Sequence, residues 1–418
     1  MFFKVLDYIA FKLFCLISPV LQRLLSRSIQ KGSIVFRFPR GEFVCGKDES
    51  DQAVLELKAP LRTLLRMLPD HKMGFTEAYM HGEIEAEPSL QALISILLEN
   101  EKAMQQSGQS TNILVRLFFS GAQFVGRLIN YALHLWRHNS LTGSKRNIQE
   151  HYDVGNAFYA TFLDDSMSYS CAFFKEPADE TLFEAQMNKF DMILEKIEVS
   201  AQDRVLEIGC GWAPFAIRGV YQTGCRWTGL TISDEQIEFG KQRVTELGLE
   251  DNIDLILEDY RKATGSYDKI VSIEMLEHVG HDYMPGYFEV IKQCLKPGGK
   301  ACIQVMTWPD ETYESYRKSS DFFKKHLAPG LNLPSISAIK QALPEGLEWQ
   351  GHFSFGTHYA PTLMAWIEKL EKHKSDIYHL GYSEYFYRKW EFFFRSCVTI
   401  FGEGYCDVIH FYLQRKFE

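Results

Sequence analysis

Between residues 200 and 305 the apolar positions fall in short unbroken runs, separated by longer stretches with helical spacing. Arg204–Ile208, Arg226–Leu230, Ile253–Leu257, Lys269–Ile273 and Lys300–Val305 read as strands buried on both faces. Asp234–Leu247 and Tyr283–Cys294 read as helices between them. Thr181–Ile197 reads as a helix with Phe183, Met187, Phe190, Ile193 and Leu194 on one face. Strands alternating with helices predict an α/β domain with a doubly wound, Rossmann-like parallel sheet. Lys296-Pro297-Gly298-Gly299-Lys300 predicts a sharp turn into the fifth strand.

The N-terminal part is patterned differently. Residues 32–58 alternate apolar and polar, as in Ile34-Val35-Phe36-Arg37-Phe38 and Val54-Leu55-Glu56-Leu57-Lys58, which predicts strands joined by turns. Pro60–Met67 and Leu90–Asn100 read as helices. Residues 1–105 are therefore expected to form a smaller α+β domain, followed by a linker and a basic helical segment over 106–148. The catalytic domain is then expected over 149–418. In the first 25 residues Lys4, Asp7, Lys12 and Arg23 interrupt the apolar run. That argues against a signal peptide or a spanning helix and for an amphipathic helix lying on a surface.

Composition narrows the partners. The net charge of −9 argues against nucleic acid. Against that acidic background, residues 112–148 hold no Asp or Glu and carry Arg116, Arg127, Arg137, Lys145 and Arg146 among apolar residues. The stretch reads either as a membrane-surface helix or as an interdomain helix with solvated arginines. The nine cysteines show no Cys-x-x-Cys pair and no ligand spacing with histidine. No metal site or disulfide framework is expected, and reduced thiols suit a cytoplasmic enzyme.

The candidate chemistry sits at the first parallel strand, in Val205-Leu206-Glu207-Ile208-Gly209-Cys210-Gly211-Trp212. Glycines directly after a buried strand allow a tight turn and close approach of a ligand to the backbone. A dinucleotide fold would add a third glycine and an acid at the end of the second strand. Here Ala213-Pro214 and Thr231-Ile232-Ser233 stand in those places. The carboxylate of Glu207 suits instead a ligand carrying an ammonium group, such as S-adenosylmethionine (SAM).

Several further stretches, in order along nearly the whole chain, resemble the cyclopropane-fatty-acyl-phospholipid synthases and their mycolic acid cyclopropane synthase relatives. They are Gly74–Gly82, Asn139-Ser140 with Asn147–Asn156, Ser168–Phe174, Gly209–Trp212 and Leu230–Ser233 with Gln236. Glu277–Gly280, His358–Leu363 and Ser396-Cys397 complete the set. The resemblance implies transfer of the SAM methyl to a cis double bond of a membrane phospholipid acyl chain, followed by proton loss and cyclopropane closure. It implies SAM contacts at Tyr169, Ser170, Gly209, Cys210, Gly211, Trp212, Thr231, Ile232, Gln236 and Tyr260. Glu207 joins them on chemical grounds, and Asp259 because it follows the third strand.

For the proton, the resemblance implies a bound bicarbonate near Cys171, Glu277 and Tyr359, with Glu277 the expected protein carboxylate and Cys397 a proposed nucleophile. Gln304 stands where much of the family has a histidine, and an amide cannot take up a proton near neutral pH. Aromatic faces to steady a cation are expected among Tyr152, Phe158, Tyr159, Tyr169, Phe173, Phe174 and Tyr359. Ala213 replaces a glycine, tolerable if its backbone angle is ordinary. The expectation is a peripheral enzyme on the inner face of the cytoplasmic membrane, a homodimer by resemblance, forming cyclopropane. The alternatives are a methyltransferase that leaves a branched unsaturated chain and a lipid-binding protein without catalysis.

Overall fold

The computed structural model describes Gln22, Ser26 and residues 29–39, 41–48, 51–100, 154–319, 321–328 and 330–417. The expected N-terminal amphipathic helix, the 106–148 segment, the part of the Asn139-Ser140 and Asn147–Asn156 signature up to residue 153, and with it Tyr152, lie outside these residues. The chain forms two compact units, described separately.

The first unit holds a four-stranded sheet in the order β2-β1-β3-β4, built from β1 (Ser33–Phe38), β2 (Gly41–Gly46), β3 (Gln52–Leu57) and β4 (Ile84–Glu87). Its helices are α1 (Pro60–Met67), α2 (His71–Met80) and α3 (Leu90–Glu99). Pro60 starts α1, where its missing N–H costs nothing. Asp70 caps α2 by accepting from Lys72 N and Met73 N at 3.1 Å, and Ser89 caps α3. β4 and α2 were not anticipated from the sequence.

This unit is not contiguous in sequence, because it includes residues 381–399 from within the expected catalytic segment. Arg388 explains that membership. Its guanidinium lies 4.1 Å from the Tyr79 ring centre and donates to the carbonyls of Tyr79 and Ile84 and to Glu85. A buried cation needs such a full set of acceptors, and they all lie in this unit.

The second unit carries a seven-stranded sheet in the order β10-β11-β9-β8-β5-β6-β7. The parallel strands are β5 (Arg204–Ile208), β6 (Arg226–Thr231), β7 (Ile253–Leu257), β8 (Tyr267–Ile273) and β9 (Leu295–Thr307), each overlapping its expected position. β10 (Leu347–Ser354) and β11 (Asp407–Arg415) add an antiparallel edge. The turn expected at Lys296–Lys300 is instead a bulge inside β9. The pairing with β8 jumps from Tyr267↔Leu295 to Lys269↔Lys300, which absorbs the extra residues.

Helices cover this sheet. α4 (Asn156–Tyr159) is a short turn, and α5 (Leu182–Lys196) starts with a capping box between Thr181 and Glu184. α6 (Pro214–Thr223), α7 (Asp234–Glu246) and α8 (Met284–Cys294) follow β5, β6 and β8. α9 (Tyr359–Lys372) comes later. The core beneath α5 and α6 joins Phe190, stacked on Phe215 at 4.6 Å, to Trp227 and Val205. The chain runs from β5 to β6 and β7 on one side and returns to β8 on the other. The carboxyl ends of β5 and β8 therefore flank a topological switch point, where such folds bind ligands. Among the described residues no helix is long and apolar enough to cross a membrane.

Candidate active site

A cleft open to solvent lies at that switch point. The cleft walls include all twelve anticipated SAM contacts (Tyr169, Ser170, Glu207, Gly209, Cys210, Gly211, Trp212, Thr231, Ile232, Gln236, Asp259 and Tyr260), drawn from β5 and its glycine loop, the end of β6, the first turn of α7 and the segments after Met167 and β7. Gly209 and Gly211 have φ of +84° and +53°, which lets the loop turn under the cleft. Ala213 does not have the ordinary angle that its methyl would prefer. Its φ is +65°, a left-handed conformation costing about 1 kcal/mol for a non-glycine residue.

Glu207 is 2% exposed and accepts from Trp227 Nε1 at 2.9 Å. Burial pushes its carboxyl up to about 8, against the opposing pull of that hydrogen bond and of Lys189. A buried carboxyl with one neutral donor is suited to receive a cation. Gln236 Oε1 accepts from the Thr231 hydroxyl at 3.0 Å, which leaves its amide NH2 to serve a ligand. Asp259 caps the turn after β7 and is gripped by Arg261 through two side-chain bonds of 2.9 and 2.6 Å. Burial works against its ionisation, but the Arg261 guanidinium holds its carboxyl below the usual range. Trp212 is fixed by a 2.6 Å bond from Nε1 to Asn156 Oδ1. An acidic floor beside a glycine turn suits the amino-acid end of SAM, and the neutral polar groups suit its sugar.

Behind this cleft lies a buried polar cluster centred on a residue that the sequence reading passed over. Glu274, at the carboxyl end of β8, lines the cleft with its carboxylate engaged by three donors. Cys171 N donates to Oε1 at 2.9 Å, Gln304 Nε2 to Oε1 at 2.7 Å, and the Tyr359 hydroxyl to Oε2 at 2.9 Å. Burial raises its carboxyl above the ordinary value, while Lys189 and the three donors pull it back. Lys189 is itself fully buried on α5, bonded to Ser170 Oγ at 2.5 Å and Gln186 Oε1 at 2.6 Å. Desolvation lowers its ammonium to about 8, opposed by Glu274 and its other acidic neighbours.

Gln304 is aimed from behind. His410 Nε2, on β11, lies 2.9 Å from Gln304 Oε1. An amide oxygen only accepts, so His410 carries its proton on Nε2, and the Gln304 NH2 must face Glu274 and the Cys171 carbonyl. His410 is fully buried and lowered to about 3, so it stays neutral.

The cluster corrects the expected proton-handling site. Cys171, Gln304 and Tyr359 do come together, but around Glu274. Glu277 is fully buried and points elsewhere, with Oε1 accepting from Met306 N at 2.5 Å and Oε2 without a partner. Desolvation, and then the nearby Glu274 charge, push its carboxyl well above the ordinary value, so it is held as the neutral acid. Bicarbonate does not fit the expected cradle, because Glu274 already occupies the N–H and O–H donors that would hold it. Burial, then Glu274, push the Cys171 thiol well above its usual value. Cys397 lies in the first unit, buried on the helix Glu384–Gly402.

The aromatic residues expected to face a cation divide between packing and lining. Phe158, Tyr159 and Phe162 are fully buried against one another. Tyr169 reaches the cleft and stacks on Trp366 at 5.2 Å. Tyr359 packs edge-on to Trp366 and 4.7 Å from Phe401. Phe173 stacks on His358. The missed residues left only a faint trace in the sequence. Glu274 ends a strand three positions before Glu277, and Lys189 interrupts the apolar face of α5.

The family profile described as mycolic acid cyclopropane synthetase matches residues 139–411. Tuberculostearic acid methyltransferase UfaA1 of Mycobacterium tuberculosis is 33% identical over 84% of this chain and 81% of its own length. A probable fatty acid methyltransferase of Pseudomonas putida is 36% identical over 62% of this chain and 67% of its own. The cyclopropane-fatty-acyl-phospholipid synthase of Escherichia coli is 33% identical, and the match spans 60% of this chain and 63% of that protein. Among solved structures, the cyclopropane synthase MmaA2 superposes with a TM-score of 0.61 at 29% identity, covering 65% of this chain and 98% of that one. CmaA1, solved with SAH and CTAB, gives the same values.

Proposed function

We infer, because the chain belongs to the mycolic acid cyclopropane synthetase family, that it is a SAM-dependent enzyme methylating the cis double bond of unsaturated phospholipid acyl chains. The product we propose is a methyl-branched chain that keeps one double bond. The observation that carries this reading is the shared wall. Tyr169 and Glu274 line the SAM-type cleft, and Glu274 is also the centre of the buried cluster with Tyr359.

SAM, when bound, supplies a methyl group activated by its sulfonium. The residues set the conditions for its transfer. Glu207 offers the ammonium end a carboxylate, and Gly209 and Gly211 let the ligand lie against the loop. An alkene is a weak nucleophile whose attack creates positive charge on carbon, so water must be kept out. Tyr169, Trp366, Tyr359 and Phe401 supply dry aromatic faces for that charge. Loss of a proton from the neighbouring chain carbon then restores a double bond beside the new methyl branch.

The branched product is favoured by the likeness to UfaA1 and the Pseudomonas putida relative, both named as methyltransferases rather than as cyclopropane synthases. Ring closure is the second reading, in which the proton leaves the transferred methyl. It is favoured by the likeness to MmaA2 and to the Escherichia coli synthase. The test is transfer of label from methyl-labelled SAM to phospholipid vesicles with cis-monounsaturated chains. Label in the acyl chains supports the reading. Label absent from the lipid, with SAM bound to folded protein, sinks it.

A further inference from the structure

We propose that Glu274 is the built-in general base of the reaction, a carboxylate carried by the chain in place of the bicarbonate that family resemblance implies. The inference rests on the acyl-chain reading above and deepens it.

The donors are the first argument. The Cys171 N–H, the Gln304 NH2 and the Tyr359 O–H all converge on Glu274, two on Oε1 and one on Oε2. Gln304 turns its NH2 inward, because the Cys171 carbonyl and Glu274 Oε1 both accept from it, and its oxygen faces His410 Nε2 on the other side. Three fixed donors and no acceptor define a site for a carboxylate anion, and Lys189 supplies the compensating charge.

The backbone is the second argument. Glu274 has φ of +48°, in the left-handed region where glycine is at ease and a long side chain is not. Its N–H still pairs with the Gln304 carbonyl at 2.9 Å, so β8 keeps its place beside β9. The chain thus holds an unfavourable residue at a strand end, and what the position gains is a carboxylate facing the cleft. Strain of this kind concentrates where function requires it.

The step balances with the groups present. After methyl transfer the substrate carries a cationic carbon. A C–H bond next to it breaks, its electron pair fills the cation, and the proton passes to Glu274. The proton leaves to solvent through the cleft, which Glu274 lines, once the product departs. His410 acts only as a positioning residue, through Gln304.

The test uses the full-length protein with SAM and vesicles, in CO2-free buffer and with added bicarbonate. Wild type is expected to turn over equally in both, within about twofold. Glu274→Gln should lose at least about 100-fold and stay low with bicarbonate, because its amide still fills the site. Glu274→Gly relieves the left-handed strain and should fold well. It is expected to be inactive without CO2 and to recover as bicarbonate is added. Independently of lipid, carbon-13 NMR of labelled bicarbonate should show binding to Glu274→Gly and none to wild type. Bicarbonate-dependent wild-type turnover, bicarbonate bound to wild type, or a fully active Glu274→Gln would each overturn the proposal. If wild type transfers no methyl to lipid, the acyl-chain reading fails, and the NMR arm still decides who fills the site.

Discussion

The Tyr359 hydroxyl donates to Glu274 Oε2 at 2.9 Å, joining the start of α9 to the end of β8 at the edge of the buried cluster. Burial, then the Glu274 charge, raise the tyrosine well above its ordinary value, so it stays a donor throughout the working pH range. Removing that donor should raise the affinity of Glu274 for its proton and loosen its aim. Tyr359→Phe is expected to lower turnover by about 10–100-fold while SAM affinity, measured by calorimetry, stays within a few-fold. Loss of SAM binding instead would place Tyr359 in the cofactor site.

Glu207 makes SAM binding a proton-linked event. In the free protein its carboxyl sits near 8, so it is mostly neutral at pH 7. A cationic ligand favours the carboxylate, and binding should therefore release about one proton per SAM at pH 7. Calorimetry in buffers of different ionisation enthalpy reads this directly. The release should vanish in Glu207→Gln, and an unchanged proton count in that variant would show that Glu207 does not meet the ligand's charge.

The same carboxyl sets a direction for stability. Its folded value lies above its unfolded one, so its contribution is fully present below about 4.5 and is lost as pH rises towards 8. Denaturation of the ligand-free protein should show a midpoint falling over that window, with a shallower fall in Glu207→Gln. Excess SAM should offset the loss above pH 7 by binding the ionised form.

Glu277 is expected to behave as a structural acid. Held neutral, with Oε1 accepting from Met306 N, it can be replaced by the isosteric amide at little cost. Glu277→Gln should keep turnover within about threefold, whereas Glu277→Ala should lose about 2–4 kcal/mol of stability by leaving a cavity and an unpaired N–H. A collapse of turnover in well-folded Glu277→Gln would return the base to that position.

Much of the second unit was legible because parallel strands buried on both faces read as continuous apolar runs. All five were found, and the glycine loop with Glu207 located the cleft. The antiparallel strands β10 and β11 were missed because aromatic and polar residues break their pattern. Residues 381–399 were misplaced because Arg388 finds its acceptors in distant Tyr79, Ile84 and Glu85. The choice between Glu274 and Glu277 was invisible for a related reason. Both follow the same strand, and only the left-handed turn at Glu274 decides which carboxylate faces Cys171, Gln304 and Tyr359. No local pattern encodes contacts that three separate elements supply.

The most direct measurement is mass spectrometry of acyl chains released from cis-monounsaturated phospholipid vesicles after incubation with the protein and SAM. The account predicts a chain one CH2 heavier that still takes up hydrogen at one double bond, with fragments placing a methyl branch at the former alkene. The same mass without a double bond, with ring fragments, would contradict the branched product. Unmodified chains from folded, SAM-binding protein would contradict the acyl-chain reading itself.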